Sequence, residues 1–246
     1  MQMAQFQVTR RSQSWYGESI GILILDASYP CIPGNVGNAS TFPFPVRYQE
    51  VSGASIDRLL NQRDPSLLEP FIKAAKKLES RGVKAITGAC GFMAQFQPQV
   101  CAAVNIPVFL TSLLQVPFIF RITGRPVGVI TANSSCLTPE HFKGAGIPDG
   151  LPLIVAGMQG QTEFRGAILE EKGTLDSDRI EQEVVQVAKE LVTGNSHIGA
   201  ILLECSDLPP YARAVQQAVN LPVYDFFTMI HYVHTAHVRF PFVGFM

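Results

Sequence analysis

The sequence predicts an α/β protein of two pseudo-symmetric lobes, each a mostly parallel sheet flanked by helices, with the active site in the cleft between them. Three observations carry this. Short apolar runs alternate with helical patterns along the chain, as parallel sheets with helical crossovers require. The run Ala85-Ile86-Thr87-Gly88-Ala89-Cys90 recurs as Ala200-Ile201-Leu202-Leu203-Glu204-Cys205, at an offset of 115 that also relates Val100 to Val215 and Pro107-Val108 to Pro222-Val223. A strand pattern at Gly21-Ile22 restarts at Gly128-Val129. The implied division is a polar leader over residues 1–19, an N-terminal lobe over 20–124 and a C-terminal lobe over 125–246. The last helix, near 228–238, is assigned provisionally to packing on the first lobe.

The elements follow in order. Gly21 to Leu25 is apolar without alternation, the mark of a strand covered on both faces. A long segment rich in Pro, Gly and Asn, Pro30 to Pro45, follows it, and a loop of that length in a compact domain is usually functional. Val46 to Val51 reads as the second strand. Asp64-Pro65 opens a helix as N-cap and first-turn proline, and Gly82 ends it. Val83 to Ala89 is the first cysteine strand, followed by a helix to about Val104 and a strand at 106–110. The second half runs as a strand at 127–131, a helix begun by Thr138-Pro139-Glu140, a strand at 151–156 and a polar connection over 160–175. It continues with an amphipathic helix at 176–192, the second cysteine strand at 198–204, a helix at 209–219, a strand at 223–226 and the last helix. The apolar residues 240–245 are expected to pack on the body or on a second subunit, as in a homodimer.

Composition narrows the function. A net charge of −1 in 246 residues gives no footprint for nucleic acid or an anionic membrane. No apolar run reaches the length of a membrane span. Five scattered cysteines, with neither CxxC nor Cys–His metal spacing, read as reduced thiols of a cytoplasmic protein rather than as disulfides or a metal site. Thr9-Arg10-Arg11-Ser12 lacks the apolar run and cleavage site of an export signal. The Pro33-to-Asn38 stretch lacks the spacing of a nucleotide loop.

Cys90 and Cys205 stand at the carboxyl ends of matching strands, the edge at which such sheets bind ligands. Backbone N–H groups converge there, and the thiolate is the reactive form of cysteine. Two such thiols on opposite faces of one substrate carbon can remove a proton from one side and deliver it to the other. Cys101 faces Gln216 in the repeat and is read as core. Cys31 and Cys136 lie in loops near the cleft, and His231 and His234 are read as packing residues.

These features resemble the aspartate/glutamate racemase superfamily, which includes hydantoin and allantoin racemases, maleate isomerase and arylmalonate decarboxylase. The resemblance spans about Gly21 to Val238 and rests on the duplicated halves, on Thr-Gly-Ala-Cys90-Gly-Phe and on Leu-Glu-Cys205-Ser-Asp-Leu-Pro. It implies a cofactor-independent racemase or epimerase, needing neither pyridoxal phosphate nor metal, that acts on a small carboxylate such as an amino acid or hydantoin. Cys90 and Cys205 are then acid and base. Asp26 and Ser28 take the place of residues that contact the substrate amino group. Asn133 and Ser134 take that of carboxylate-holding hydroxyl residues. Gly91 and Phe92, with Ser206 and Asp207, offer backbone N–H groups. Cys-Gly-Phe and Cys-Ser-Asp replace the Cys-Asn-Thr and Cys-Thr-His of glutamate racemases, which implies a less polar pocket. The alternatives are an isomerase or decarboxylase-like lyase using one cysteine, or a non-catalytic binding protein.

Overall fold

The computed structural model describes residues 5, 7–8, 10 and 13–246. Two four-stranded sheets divide the chain. The first contains β1 (Ile20–Ile24), β2 (Val46–Glu50), β3 (Ala85–Gly88) and β4 (Val108–Phe109) in the order β2-β1-β3-β4. The second contains β5 (Val127–Thr131), β6 (Leu153–Gly157), β7 (Ala200–Leu203) and β8 (Val223–Tyr224) in the order β6-β5-β7-β8. All pairings are parallel, and Ile20 faces Ala85 as Val127 faces Ala200. Each cysteine strand is therefore an inner strand, with its carboxyl end at the centre of its sheet edge.

Among the described residues eight α-helices flank the strands: α1 (Leu68–Arg81), α2 (Gln97–Ala102), α3 (Val116–Thr123), α4 (Pro139–Gly144), α5 (Thr162–Phe164), α6 (Ser177–Gly194), α7 (Ala212–Val219) and α8 (Phe226–His237). Asp64 caps the turn leading into α1, and Gly82 ends that helix in a left-handed conformation at φ 93°. The close fit of helix on sheet repeats in both lobes. A side chain on Gly21 would press on Leu78 of α1, and one on Gly128 would press on Leu191 of α6.

Four expectations need correction. The helix after Cys90 is a tight turn over Gly91–Phe96 before the short α2, whose first turn holds Pro98. Helix α3 has no sequence-level counterpart, because Phe118 and Ile122 stand exposed where polar residues would mark the outer face of so short a helix. The connection over 160–175 contains α5 and a wide helical turn at Arg165–Leu169, with Phe164, Ala167 and Ile168 buried. Of the two packings expected for the C-terminal residues, that on the body of the chain does not occur: Phe242 and Phe245 are fully exposed.

Helix α8, capped by Asp225, inserts Phe226, Met229 and Ile230 among Ile20, Ile22, Ala85 and Phe109 of the first sheet. In the leader, Gln13 Nε2 donates to the carbonyls of Trp15 and Arg81, and Trp15 lies against Arg47 and Arg81. Residues 1–4 and 6, with 9, 11 and 12 of the twin-arginine pattern, lie outside the described residues. Among the described residues no helix is long and apolar enough to cross a membrane.

The lobes meet edge to edge. Ser206 Oγ donates to Ala89 O at 2.7 Å, Ser112 Oγ to Leu203 O at 3.2 Å, and Val36 N to Ser206 O at 3.3 Å. Helix α4 packs on the turn after Cys90 so tightly that a Cβ at Gly144 would collide with Ala94 O. In that joint His141 meets Phe92 edge-on, with ring centres 5.3 Å apart. Its Nδ1 accepts the Thr138 backbone N–H at 3.1 Å. Burial, with the Arg63 charge, lowers its pKa from 6.5 to about 4. Between those values the unfolded chain binds more protons than the folded one. This contribution to stability is full above the unfolded pKa and is lost as pH falls towards the folded one. Thermal melts should show this acid slope, worth on the order of 2–3 kcal/mol, and His141→Gln should flatten it.

Candidate functional site

Cys90 follows β3 in an extended conformation, and Cys205 follows β7. The two turns are alike in a way that bears on the sulfurs. The Phe92 backbone N–H donates to the Cys90 sulfur, and the Asp207 backbone N–H donates to the Cys205 sulfur. Each thiol thus receives the N–H two residues ahead, a bond that favours a thiolate. Both cysteines line one cavity between the lobes, walled by Leu25, Tyr29, Ile56, Leu60, Phe92 and Ile168 among others. Its volume of about 20 Å³ is room for about one water.

The polar groups around this cavity are acidic. Asp207 is buried. It accepts the Cys205 S–H at 3.2 Å on Oδ2, the Asn35 amide at 2.5 Å on Oδ1, and the Tyr29 hydroxyl. Glu204 has no exposed surface. Thr131 Oγ1 donates to its Oε2 at 2.7 Å, while Oε1 has no partner. That Oε1 occupies the space a Cβ at position 91 would need, so Gly91 is the residue the packing allows. Among the described residues no Lys, Arg or His lines the cavity.

The electrostatic consequence is uniform. Burial, then Glu204, pushes the Cys90 thiol up; burial, then Asp207, pushes the Cys205 thiol up. Burial raises Asp207 above the usual carboxylate range, against the hydrogen bonds it accepts, and raises Glu204 to about 7. The empty site lacks a positive charge.

Of the residues singled out in the sequence, Cys90, Gly91, Phe92, Cys205 and Asp207 line the cavity. Five do not. Asp26 is exposed. Ser28 is also exposed, its N–H held by the Glu171 carboxylate. Asn133 caps Ser135, and Ser134 pairs with Gln159. Ser206 is spent on joining the lobes. These short polar side chains satisfy turns at strand ends. Cys101, read as core, is exposed on α2. Burial and Asp207 raise the exposed Cys31 thiol to about 11, while the Cys136 thiol donates to Asn61 Oδ1 at 3.7 Å. His234 stacks on Phe44, ring centres 3.5 Å apart, and His231 packs edge-on to the same ring, both outside the cavity lining.

Sequence reasoning missed Glu204, Tyr29 and the cavity's outer wall. Glu204 had a signal: a carboxylate closing an otherwise apolar strand. The wall comes from two matching wide turns, Asp57–Asn61 and Arg165–Leu169. Each is followed by a non-glycine residue in the left-handed region, Arg63 at φ 50° and Glu171 at φ 51°. Ile56 and Leu60 adjoin or belong to the first turn, and Ile168 and Leu169 belong to the second.

No protein-family model matches the chain. Among solved structures, a mutant of arylmalonate decarboxylase in its sulfate-associated form superposes with a TM-score of 0.60 at 15% identity, covering 89% of this chain and 92% of that one. An aspartate racemase homologue from Pyrococcus horikoshii OT3 gives 0.55 at 18% identity, covering 89% and 99%. These likenesses show the two-lobed α/β fold. Curated relatives overturn the expectation of an isomerase. A dimethylsulfoniopropionate lyase of Durusdinium sp. clade D is 32% identical over 215 residues, 84% of this chain and 71% of that protein. Dimethylsulfoniopropionate lyase 7 of Emiliania huxleyi (strain CCMP1516) is 32% identical over 221 residues, 85% of this chain and 64% of that protein. The chain thus spans about two thirds of the length of these relatives. Their identity and coverage establish that the chain belongs to the dimethylsulfoniopropionate lyase family, on the Asp/Glu racemase-like fold.

Proposed function

We propose that this chain cleaves dimethylsulfoniopropionate to dimethyl sulfide and acrylate by β-elimination, with the Cys205–Asp207 pair as base. The observation that carries the reading is the hydrogen bond from Cys205 to a buried Asp207 in an acidic, apolar-walled cavity without a basic side chain. The substrate brings what such a cavity lacks. Its sulfonium is a cation without N–H or O–H donors, matched to carboxylates and to a wall of Leu, Ile, Tyr and Phe. An opposite charge a few ångströms away favours the ionised form of an acid. Substrate binding therefore draws the Cys205 thiol and the Asp207 carboxyl, both raised in the empty site, towards the anion needed for proton removal.

In the reaction the base takes the proton from the carbon next to the carboxylate. That C–H pair becomes the new double bond, and the carbon–sulfur pair leaves on sulfur as neutral dimethyl sulfide. The leaving group needs no acid, so one base suffices, in contrast to racemisation. The proton passes from Cys205 through Asp207 to solvent. Entry of a molecule larger than the cavity requires Ile56 and Leu60 to part from Ile168 and Leu169.

The test is headspace detection of dimethyl sulfide, with stoichiometric acrylate, from purified protein and dimethylsulfoniopropionate. An isostere with an uncharged carbon in place of the sulfonium, its carboxylate kept, should compete at least tenfold more weakly than the substrate binds. Turnover absent from folded protein, or an isostere that binds equally well, refutes the reading.

A further inference from the structure

We infer that Glu204, in its neutral acid form, is the donor that holds the substrate carboxylate and stabilises the charge that builds on it as the α-proton leaves. The inference rests on the elimination reading, since it assigns a carboxylate to this cavity. Four observations converge. Glu204 lines the cavity and is fully buried. Thr131 Oγ1 donates to Oε2, which leaves Oε1 to carry the acid proton. Oε1 has no partner, and a buried polar atom left without one is costly unless a ligand supplies it. Gly91, beside Cys90, is the gap that lets Oε1 reach this position.

The titratable groups facing Glu204 are Cys90 from the end of β3, and Cys205 and Asp207 from the turn after β7. None is cationic, so only the Thr131 hydrogen bond offsets the cost of ionising Glu204, and burial raises its pKa to about 7. The Phe92 and Asp207 backbone N–H groups are used on the sulfurs and the Tyr29 hydroxyl on Asp207, while the Glu204 acid is a side-chain O–H donor of the lining with no partner. Removing the α-proton shifts negative charge onto the carboxylate oxygens. A fixed O–H donor in a water-poor site acts most strongly there. A neutral carboxylic acid so placed also explains how a cavity lined by no Lys, Arg or His among the described residues can take an anionic group.

The decisive experiment uses propionate, the three-carbon carboxylate alone, so it does not depend on turnover. Difference infrared spectra of the wild-type protein at pH 6 should show a protonated carboxyl band that shifts when propionate binds and disappears in Glu204→Gln. Propionate affinity should fall at least tenfold in Glu204→Leu and recover partly in Glu204→Gln, whose amide still donates. In the elimination assay, the acid form being the active one, wild-type activity should decline as pH rises through about 7, and Glu204→Gln should lose that limb. No propionate-sensitive carboxyl band in the wild type, or an unchanged alkaline limb in a folded Glu204→Gln, refutes the role. A responsive band in a protein that releases no dimethyl sulfide would retain the carboxylate site while discarding the lyase reading.

Discussion

Cys205→Ser should abolish elimination, with a fall of about a thousandfold or more in kcat and little change in KM. Serine keeps the size and the hydrogen bond to Asp207, but an alcohol is far harder to ionise than a thiol. Asp207→Asn should fall nearly as far, because it removes the acceptor 3.2 Å from the sulfur. The two losses should not add in the double variant, as expected for residues that act as one unit. Cys90 shares the cavity and also receives a backbone N–H, but its thiol has no carboxylate acceptor among the hydrogen bonds of the site. Cys90→Ser should therefore cost much less, roughly tenfold. Equal and complete losses at both positions would instead mean that both thiols transfer protons. Steady-state kinetics of the four variants separate these outcomes.

Gly91→Ala is the second large effect. The added methyl would run into the Glu204 carboxyl group, with the Glu204 backbone O only 2.6 Å away. The side-chain oxygen can move, but the backbone oxygen belongs to the end of β7 and can move only with Cys205. Overpacking of this kind costs about 1–3 kcal/mol. A lower midpoint in urea with an unchanged slope should report it. Activity should fall further than stability explains, because the shift turns Glu204 away and alters the spacing of the cysteine edges. A fully active, fully stable Gly91→Ala protein would show that the lobes yield more readily than this close contact implies.

Much of the molecule was legible in the sequence because its signals are local or repeated. Continuous apolar runs marked the inner strands, and Asp64, Gly82, Thr138 and Asp176 marked helix ends through the backbone groups they satisfy. The constant offset between Cys90 and Cys205 exposed the duplication. Helix α3 escaped because its outer face carries Phe118 and Ile122, which hide the period of an eight-residue helix. The wide turns at Asp57–Asn61 and Arg165–Leu169 escaped because their buried face is too short for a helical pattern to emerge. Asp26, Ser28, Asn133 and Ser134 are strand-end residues whose chemistry suits turns and ligands equally, and a sequence pattern does not separate the two.

The sequence by itself determined two parallel α/β halves and a cysteine at the carboxyl end of a strand in each, since hydrophobic period and repetition are properties of the chain alone. Tertiary structure alone decided which polar groups share a low-dielectric space with those thiols. Asn35 and Asp207 are far apart in the chain, as are Thr131 and Glu204, yet each pair forms a buried hydrogen bond where the lobes or strands meet. Burial, rather than residue type, is what raises Glu204 and Asp207 and leaves an acidic cavity suited to a cationic substrate.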